Sequence, residues 1–155
     1  MAYPTVTAPY GFKPINRFDG MPYAGAILQL PVTSGQAVYN GQVVQQVAGG
    51  TVSPIADLTA ESLLAVGVCV GVQYKNSSGQ TVQAQYAPAG ASSAVAYVVD
   101  DPNVIFTVQA DSTALTTSNI HNNAALSVTA NQTTLSMSSP QSATVATSFG
   151  TGSTL

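Results

Sequence analysis

Valine occupies every second position from Val66 to Val72, with Gly67, Cys69 and Gly71 between. A strict period of two predicts a β-strand. Val66, Val68, Val70 and Val72 are expected on the core face, because successive side chains of a strand point to opposite sides. Gly67, Cys69 and Gly71 form a second face with almost no bulk. Either another layer approaches that face closely, or the glycines accommodate twist and bulging in a curved sheet.

The same reading extends in both directions. Residues 26–30 form a short apolar strand that Pro31 ends. Residues 38–47 form another run, with Asn40-Gly41 as a hairpin turn or a bulge. Ala48-Gly49-Gly50 is a turn. Residues 57–65 (DLTAESLLA) are the one short helix expected, with Asp57 or Thr59 as its cap and Glu61 in its first turn. Asn76-Ser77-Ser78-Gly79 is a hairpin loop leading into a strand over 81–86, and residues 88–93 are a further loop. Residues 96–99 and 104–108 are strand-like, with Asp101-Pro102-Asn103 between them. Asp at the first turn position accepts from nearby backbone amides and Pro at the second has its φ already set. The adjacent pair Asp100 and Asp101 therefore reads as turn punctuation. On extended chain two neighbouring side chains also point apart.

The two ends depart from this pattern. Residues 1–25 carry Pro4, Pro9, Pro14 and Pro22, which exclude a helix and disfavour a central strand. They also carry Tyr3, Tyr10, Phe12, Phe18 and Tyr23, five of the eleven aromatic residues, and two of the three basic ones, Lys13 and Arg17. Burying five aromatics returns roughly 10 kcal/mol. Ordering some twenty-five residues costs about 1–2 kcal/mol each. Such an extended arm needs a surface to lie on, its own domain or another subunit. Residues 111–155 are rich in Ser, Thr, Ala and Asn, with short strand-like pieces at 126–128, 135–137 and Val145. The predicted fold is mainly β: a compact antiparallel β-barrel or sandwich over 26–110 with one short helix, an extended N-terminal arm over 1–25 and a Ser/Thr-rich C-terminal region over 111–155.

Charge changes the picture most. Only 6% of the 155 residues are charged, three basic and six acidic, where a free-standing domain surface carries about 25–35%. Either Ser, Thr, Gln and Asn solvate an uncharged β surface, or neighbouring molecules cover much of it. Nucleic-acid binding is argued against, because neutralising phosphates needs clustered Lys and Arg. No apolar run reaches the ~20 residues of a membrane-spanning helix, and the first residues lack the basic stretch and apolar run of a secretory leader. The single cysteine, Cys69, has no internal disulfide partner.

Catalytic chemistry finds little material. Nucleophilic catalysis needs a base beside the nucleophile, and the only histidine, His121, lies in a polar stretch. No Gly-x-Ser-x-Gly elbow, P-loop or dinucleotide fingerprint is present. Cys69 has no basic sequence neighbour to lower its pKa, so a sheltered thiol is expected. Asp100, Asp101 and Asp111 are the one carboxylate group that a Ca²⁺ ion could use, weakly. Asn76-Ser77-Ser78 and Asn131-Gln132-Thr133 match the glycosylation sequon, a pattern common by chance.

Two segments carry a resemblance. Ala8-Pro9-Tyr10-Gly11-Phe12-Lys13-Pro14, with Gly20-Met21-Pro22-Tyr23-Ala24-Gly25 and Gln29-Leu30-Pro31, resembles the opening of small tailed-phage capsid decoration (cement) proteins. Asp100-Asp101-Pro102-Asn103 followed by Phe106-Thr107-Val108-Gln109-Ala110-Asp111 resembles a second segment of the same proteins. The chain departs from that family at its end, where another apolar strand is expected. The resemblance implies a β-rich virion protein on the outer capsid surface. It would bridge major capsid protein subunits, self-associate into a small homo-oligomer there, and have no enzyme activity and no cofactor. Tyr10, Phe12, Lys13, Arg17, Phe18 and Tyr23 are the expected partner-binding residues: rings filling grooves and two cations meeting carboxylates. The alternative is a phage fibre or receptor-binding module whose Ser/Thr/Asn loops contact a host surface.

Overall fold

A computed structural model describes residues 11–55 and 65–108, together with Thr117 and the backbone of two short strands, 125–127 and 144–146. The described chain is mainly β and its strand ladders are antiparallel. The strands are β1 (Lys13–Arg17), β2 (Leu28–Pro31), β3 (Val38–Tyr39), β4 (Val43–Val47), β5 (Thr51–Pro54), β6 (Ala65–Lys75), β7 (Thr81–Ala84), β8 (Tyr86–Ala87), β9 (Ser92–Val99), β10 (Val104–Thr107), β11 (Ala125–Ser127) and β12 (Thr144–Ala146). Ala65 opens β6; the rest of the helix expected over 57–65 lies outside the described residues.

The valine-rich strand is the centre of the main sheet. β6 is eleven residues long, enough to serve two partners along one edge. Its first half pairs with β4 and its second half with β7, while β9 runs along the other edge. The six-stranded sheet has the order β2-β9-β6-β4-β5, with β7 beside β6. Its two outer strands curl toward each other and meet at one parallel bridge, Val32 to Val52. The Thr33 amide donates to the Val52 carbonyl at 2.9 Å, and the Thr33 and Thr51 hydroxyls share a 2.8 Å bond. The sheet is therefore strongly curved but is not closed by a full ladder. Asn40-Gly41 turns the chain between β3 and β4, yet those strands do not pair with each other. β3 pairs with β8 and β4 with β5 and β6, so the turn is not a hairpin.

Bulges correct the expected faces of β6. Cys69 lies opposite Val98 and Gly71 opposite Tyr97, leaving Val70 as an extra residue. An inserted residue reverses the alternation beyond it. Cys69 and Val72 thus join one buried cluster with Val38, Val44, Val52, Ala87, Ala96 and Val98. Val68 is buried outside that cluster, and Val70 lines a surface groove. Of the two readings of the bulk-free face, bulging is the one seen: the sheet bulges at Cys69–Gly71. At Gly67 a β-carbon would overlap the carbonyl oxygen of Val99 in β9, the neighbouring strand of the same sheet.

Beyond β9 the chain turns at Asp101-Pro102-Asn103 as expected. Asp101 Oδ1 accepts from the Asn103 amide at 2.9 Å, and the Val104 amide donates to the Asp101 carbonyl at 3.2 Å. The strand that follows does not return along β9. β10 pairs with β1 in a separate two-stranded ribbon. In the C-terminal region, β11 and β12 pair with Leu126 opposite Val145, while the strand-like piece at 135–137 lies outside the described residues.

Candidate partner-binding surface

The ribbon places the arm residues. β1 contains a proline, which offers no amide to a ladder. It is accommodated in a two-stranded pairing whose register shifts between Pro14 and Asn16. Phe12 packs edge-on against Phe106 of β10, ring centroids 6.2 Å apart at 84°, a favourable aromatic geometry.

Two glycines join the ribbon to the core. Gly11 has φ +78° and is buried against Gly41, itself at φ +81°. The Phe12 amide donates to the Gly41 carbonyl at 2.9 Å, the Gly41 amide to the Cys69 carbonyl at 2.6 Å, and the Cys69 amide to the Gln42 carbonyl at 2.9 Å. The Asn40-Gly41 turn is thus a joint between the arm and the bulge of β6. Its Gly is needed twice, for the left-handed backbone and for the close approach of Gly11.

At the other end of β1 the chain makes a tight turn. The Gly20 amide donates to the Arg17 carbonyl at 3.0 Å, the Arg17 amide to the Met21 carbonyl at 2.8 Å, and the Phe18 amide to the Asn103 carbonyl at 2.7 Å. The Met21 amide donates to Asp19 Oδ1 at 3.1 Å. This turn presents Phe18 and Met21 to solvent, 84% and 60% exposed. Ile15, Ile27, Leu28 and Ile105 are the other exposed large hydrophobics among the described residues. All six lie in the arm, just after it, or on the strand that pairs with it. A concentration of exposed apolar side chains on one region marks an interaction surface.

The expected binding residues divide by environment. Lys13 is exposed and Phe18 fully presented, whereas Phe12 and Tyr23 are half-buried. The Tyr23 hydroxyl donates to the Ala26 carbonyl at 3.1 Å; burial first, and then the Asp101 carboxylate, raise its pKa. Arg17 faces two carboxylates of its own chain, with Nη2 3.8 Å from Asp19 and Nε 3.7 Å from Asp101. Nε is shielded from solvent and makes no hydrogen bond. These are half-exposed pairs beyond hydrogen-bond length, worth about 1 kcal/mol or less each. Tyr10 lies outside the described residues.

Between the ribbon and the core runs a groove of about 750 Å³, lined chiefly by Phe12, Pro14, Ile15, Tyr23, Ile27 and Val70. Lys13, Asn40 and Thr107 stand at its polar positions. The sequence pattern did not point to Ile15, Met21, Ile27 or Val70. Ile15 and Met21 are isolated apolar residues without period, Ile27 was read only as part of the short apolar strand over 26–30, and Val70 follows the alternation of a core strand until the bulge turns it outward.

Among the described residues the catalytic candidates do not form a cluster. Asp100 is exposed and Asp101 is occupied by its turn and Arg17. Among the described residues no three His, Cys, Asp or Glu side chains gather as a metal site; Asp111 and His121 lie outside them. Cys69 is fully buried, its thiol pKa pushed up to about 11, chiefly by burial. Asn76, the described sequon asparagine, uses its side-chain oxygen to hold the Ser78 and Gln80 amides at 3.0 and 2.9 Å. No helix among the described residues is long and apolar enough to cross a membrane. Compared with known proteins, the chain matches no family model, no curated protein and no solved structure.

Proposed function

We propose that this chain is a structural virion protein, a cement that binds the outer surface of a phage head and bridges neighbouring major capsid protein subunits. The observation that carries the reading is that, among the described residues, the six exposed large hydrophobics gather on the arm, the residues just after it, and its partner strand. The low charge agrees with a surface that neighbours cover in part. The resemblance of residues 8–14, 20–25, 29–31, 100–103 and 106–111 to capsid decoration proteins supplies the kind of partner. In this reading Phe18 and Met21 are the leading contacts and enter apolar pockets of the shell, with Lys13 at the edge. Arg17 holds the turn that aims them. Many copies on one lattice add individually weak contacts into a stable coat.

The test is co-sedimentation with purified phage heads that lack the protein. Burying each apolar side chain contributes about 2 kcal/mol, so replacing both Phe18 and Met21 by serine is expected to weaken binding at least about 100-fold. Equal decoration by the double variant would remove the arm from the account. Binding of the unaltered protein to host cells and not to heads would favour the fibre reading instead.

A further inference from the structure

The joint between arm and core is also the dipeptide of this chain most open to spontaneous chemistry. Asn40 is the one asparagine in the sequence that glycine follows. Asparagine deamidates when the amide nitrogen of the next residue attacks its side-chain carbon, and a following glycine, with no β-carbon in the way, allows that attack most readily. The nitrogen gives up its proton and bonds to Cγ; the bond from Cγ to Nδ2 breaks and ammonia leaves. Water then opens the succinimide ring at either carbonyl, to aspartate or to isoaspartate. Asn40 is half-buried and lines the groove, so water from the groove reaches it. The attacking group is what the fold restrains. The Gly41 amide donates to the Cys69 carbonyl at 2.6 Å, and the Gly41 carbonyl accepts from the Phe12 amide at 2.9 Å. Gly41 is buried, with the backbone of Gly11 packed directly on it. On either side, the Asn40 amide donates to the Gln85 carbonyl at 2.7 Å and the Gln42 amide to the Tyr39 carbonyl at 3.2 Å.

We infer that Asn40 is a deamidation site held in check by the seated arm, and that its conversion to isoaspartate unseats the arm permanently. The check acts on the nitrogen. Attack requires the Gly41 amide to leave the Cys69 carbonyl and swing toward the Asn40 side chain, and Gly11 against Gly41 blocks that movement. The reaction is therefore confined to the fraction of molecules whose joint is open, as exchange of a protected amide hydrogen is. The reverse coupling is geometric. Isoaspartate routes the main chain through Cβ and Cγ, which adds one carbon to the turn and leaves a carboxylate beside it. A turn lengthened in this way cannot keep Gly41 on both its Cys69 and its Phe12 hydrogen bonds with Gly11 in contact. A reversible opening of the arm thus becomes a one-way event. The inference rests on the joint alone and holds whatever the arm binds.

The test is peptide mass spectrometry of the full chain aged at mildly alkaline pH, folded and in urea. Asn40 is expected to convert at least about tenfold more slowly in the folded chain than in urea. Gly11→Ala should recover most of that factor without urea, as should Phe106→Ala, a second variant that removes the ring against which Phe12 packs. The fraction carrying isoaspartate at position 40 is then separated by its added negative charge and refolded. Hydrogen-exchange protection of its Phe12 amide is expected to fall at least about tenfold. Asn40→Gln, aged in parallel, should keep that protection, because the longer side chain cyclises far more slowly. Equal conversion in the folded chain and in urea overturns the inference. So does a folded rate that neither variant raises, and so does unchanged Phe12 protection in the converted fraction.

Discussion

Replacing Gly11 by alanine probes the joint between arm and core at its tightest point. Two costs add. An L-residue held in the left-handed region costs about 1–2 kcal/mol, and Gly11 sits at φ +78°. The new β-carbon would also lie 2.6–2.8 Å from the carbonyl oxygen, α-carbon and carbonyl carbon of Gly41. Those are backbone atoms, so no side-chain rotation relieves the overlap. The arm must withdraw and give up the Phe12 to Gly41 hydrogen bond, worth about 1 kcal/mol. Gly25→Ala isolates the first cost, because Gly25 has φ +82° and nothing within 4 Å of its added carbon. The assay is native-state hydrogen exchange at the Phe12 and Phe18 amides, which donate to Gly41 and Asn103. Gly11→Ala is expected to lower their protection at least about tenfold further than Gly25→Ala does. Amides of β6 and β9 should keep theirs. Equal protection of Phe12 in the two variants would refute the clamp.

Three further outcomes follow from the same geometry. Raising the pH should weaken the fold through Cys69: the folded thiol titrates near 11, above its ordinary 9.0, so stability is full below 9 and falls as pH rises through 11. The loss approaches about 3 kcal/mol, and urea unfolding of Cys69→Ala at pH 8 and pH 11 should lack that increment. At the turn, Asp101→Asn keeps an acceptor for the Asn103 amide and should cost less than Asp101→Ala, which removes both the turn bond and the charge beside Arg17 and should cost about 1 kcal/mol, read by thermal denaturation. Gly67→Ala, which drives a methyl into the Val99 carbonyl, should cost about 2 kcal/mol or more, whereas Gly90→Ala, with open space around it, should leave the melting temperature nearly unchanged.

Local patterns were legible in the sequence where one or two residues decide the conformation. The valine alternation marked the central strand, and Asp101-Pro102-Asn103 and Asn76–Gly79 marked their turns. Leu126 and Val145 were picked out as strand residues, though nothing in their surroundings said that they pair. The faces of β6 were not legible. A bulge depends on the register of the neighbouring strand, and Cys69 and Val70 exchange sides because of where β9 lies. The pairing of β1 with β10 escaped for a related reason. It joins residues about ninety positions apart, and no local rule links a proline-containing arm to a strand after a turn. The aromatic and basic residues of the arm were noticed, but Met21, Ile15 and Ile27 gained meaning only once the ribbon placed them beside Phe18 and the groove. Arg17 shows the converse: its charge was legible, and its two carboxylate neighbours at 3.8 and 3.7 Å were not.

The most direct measurement of the central claim is a high-resolution image of phage heads incubated with the purified protein. The account expects density for the chain on the outer shell, with the turn carrying Phe18 and Met21 seated between neighbouring capsid subunits. Density that contacts the shell only through the β7 and β5 side, with Phe18 and Met21 facing solvent, would contradict it, as would heads left bare.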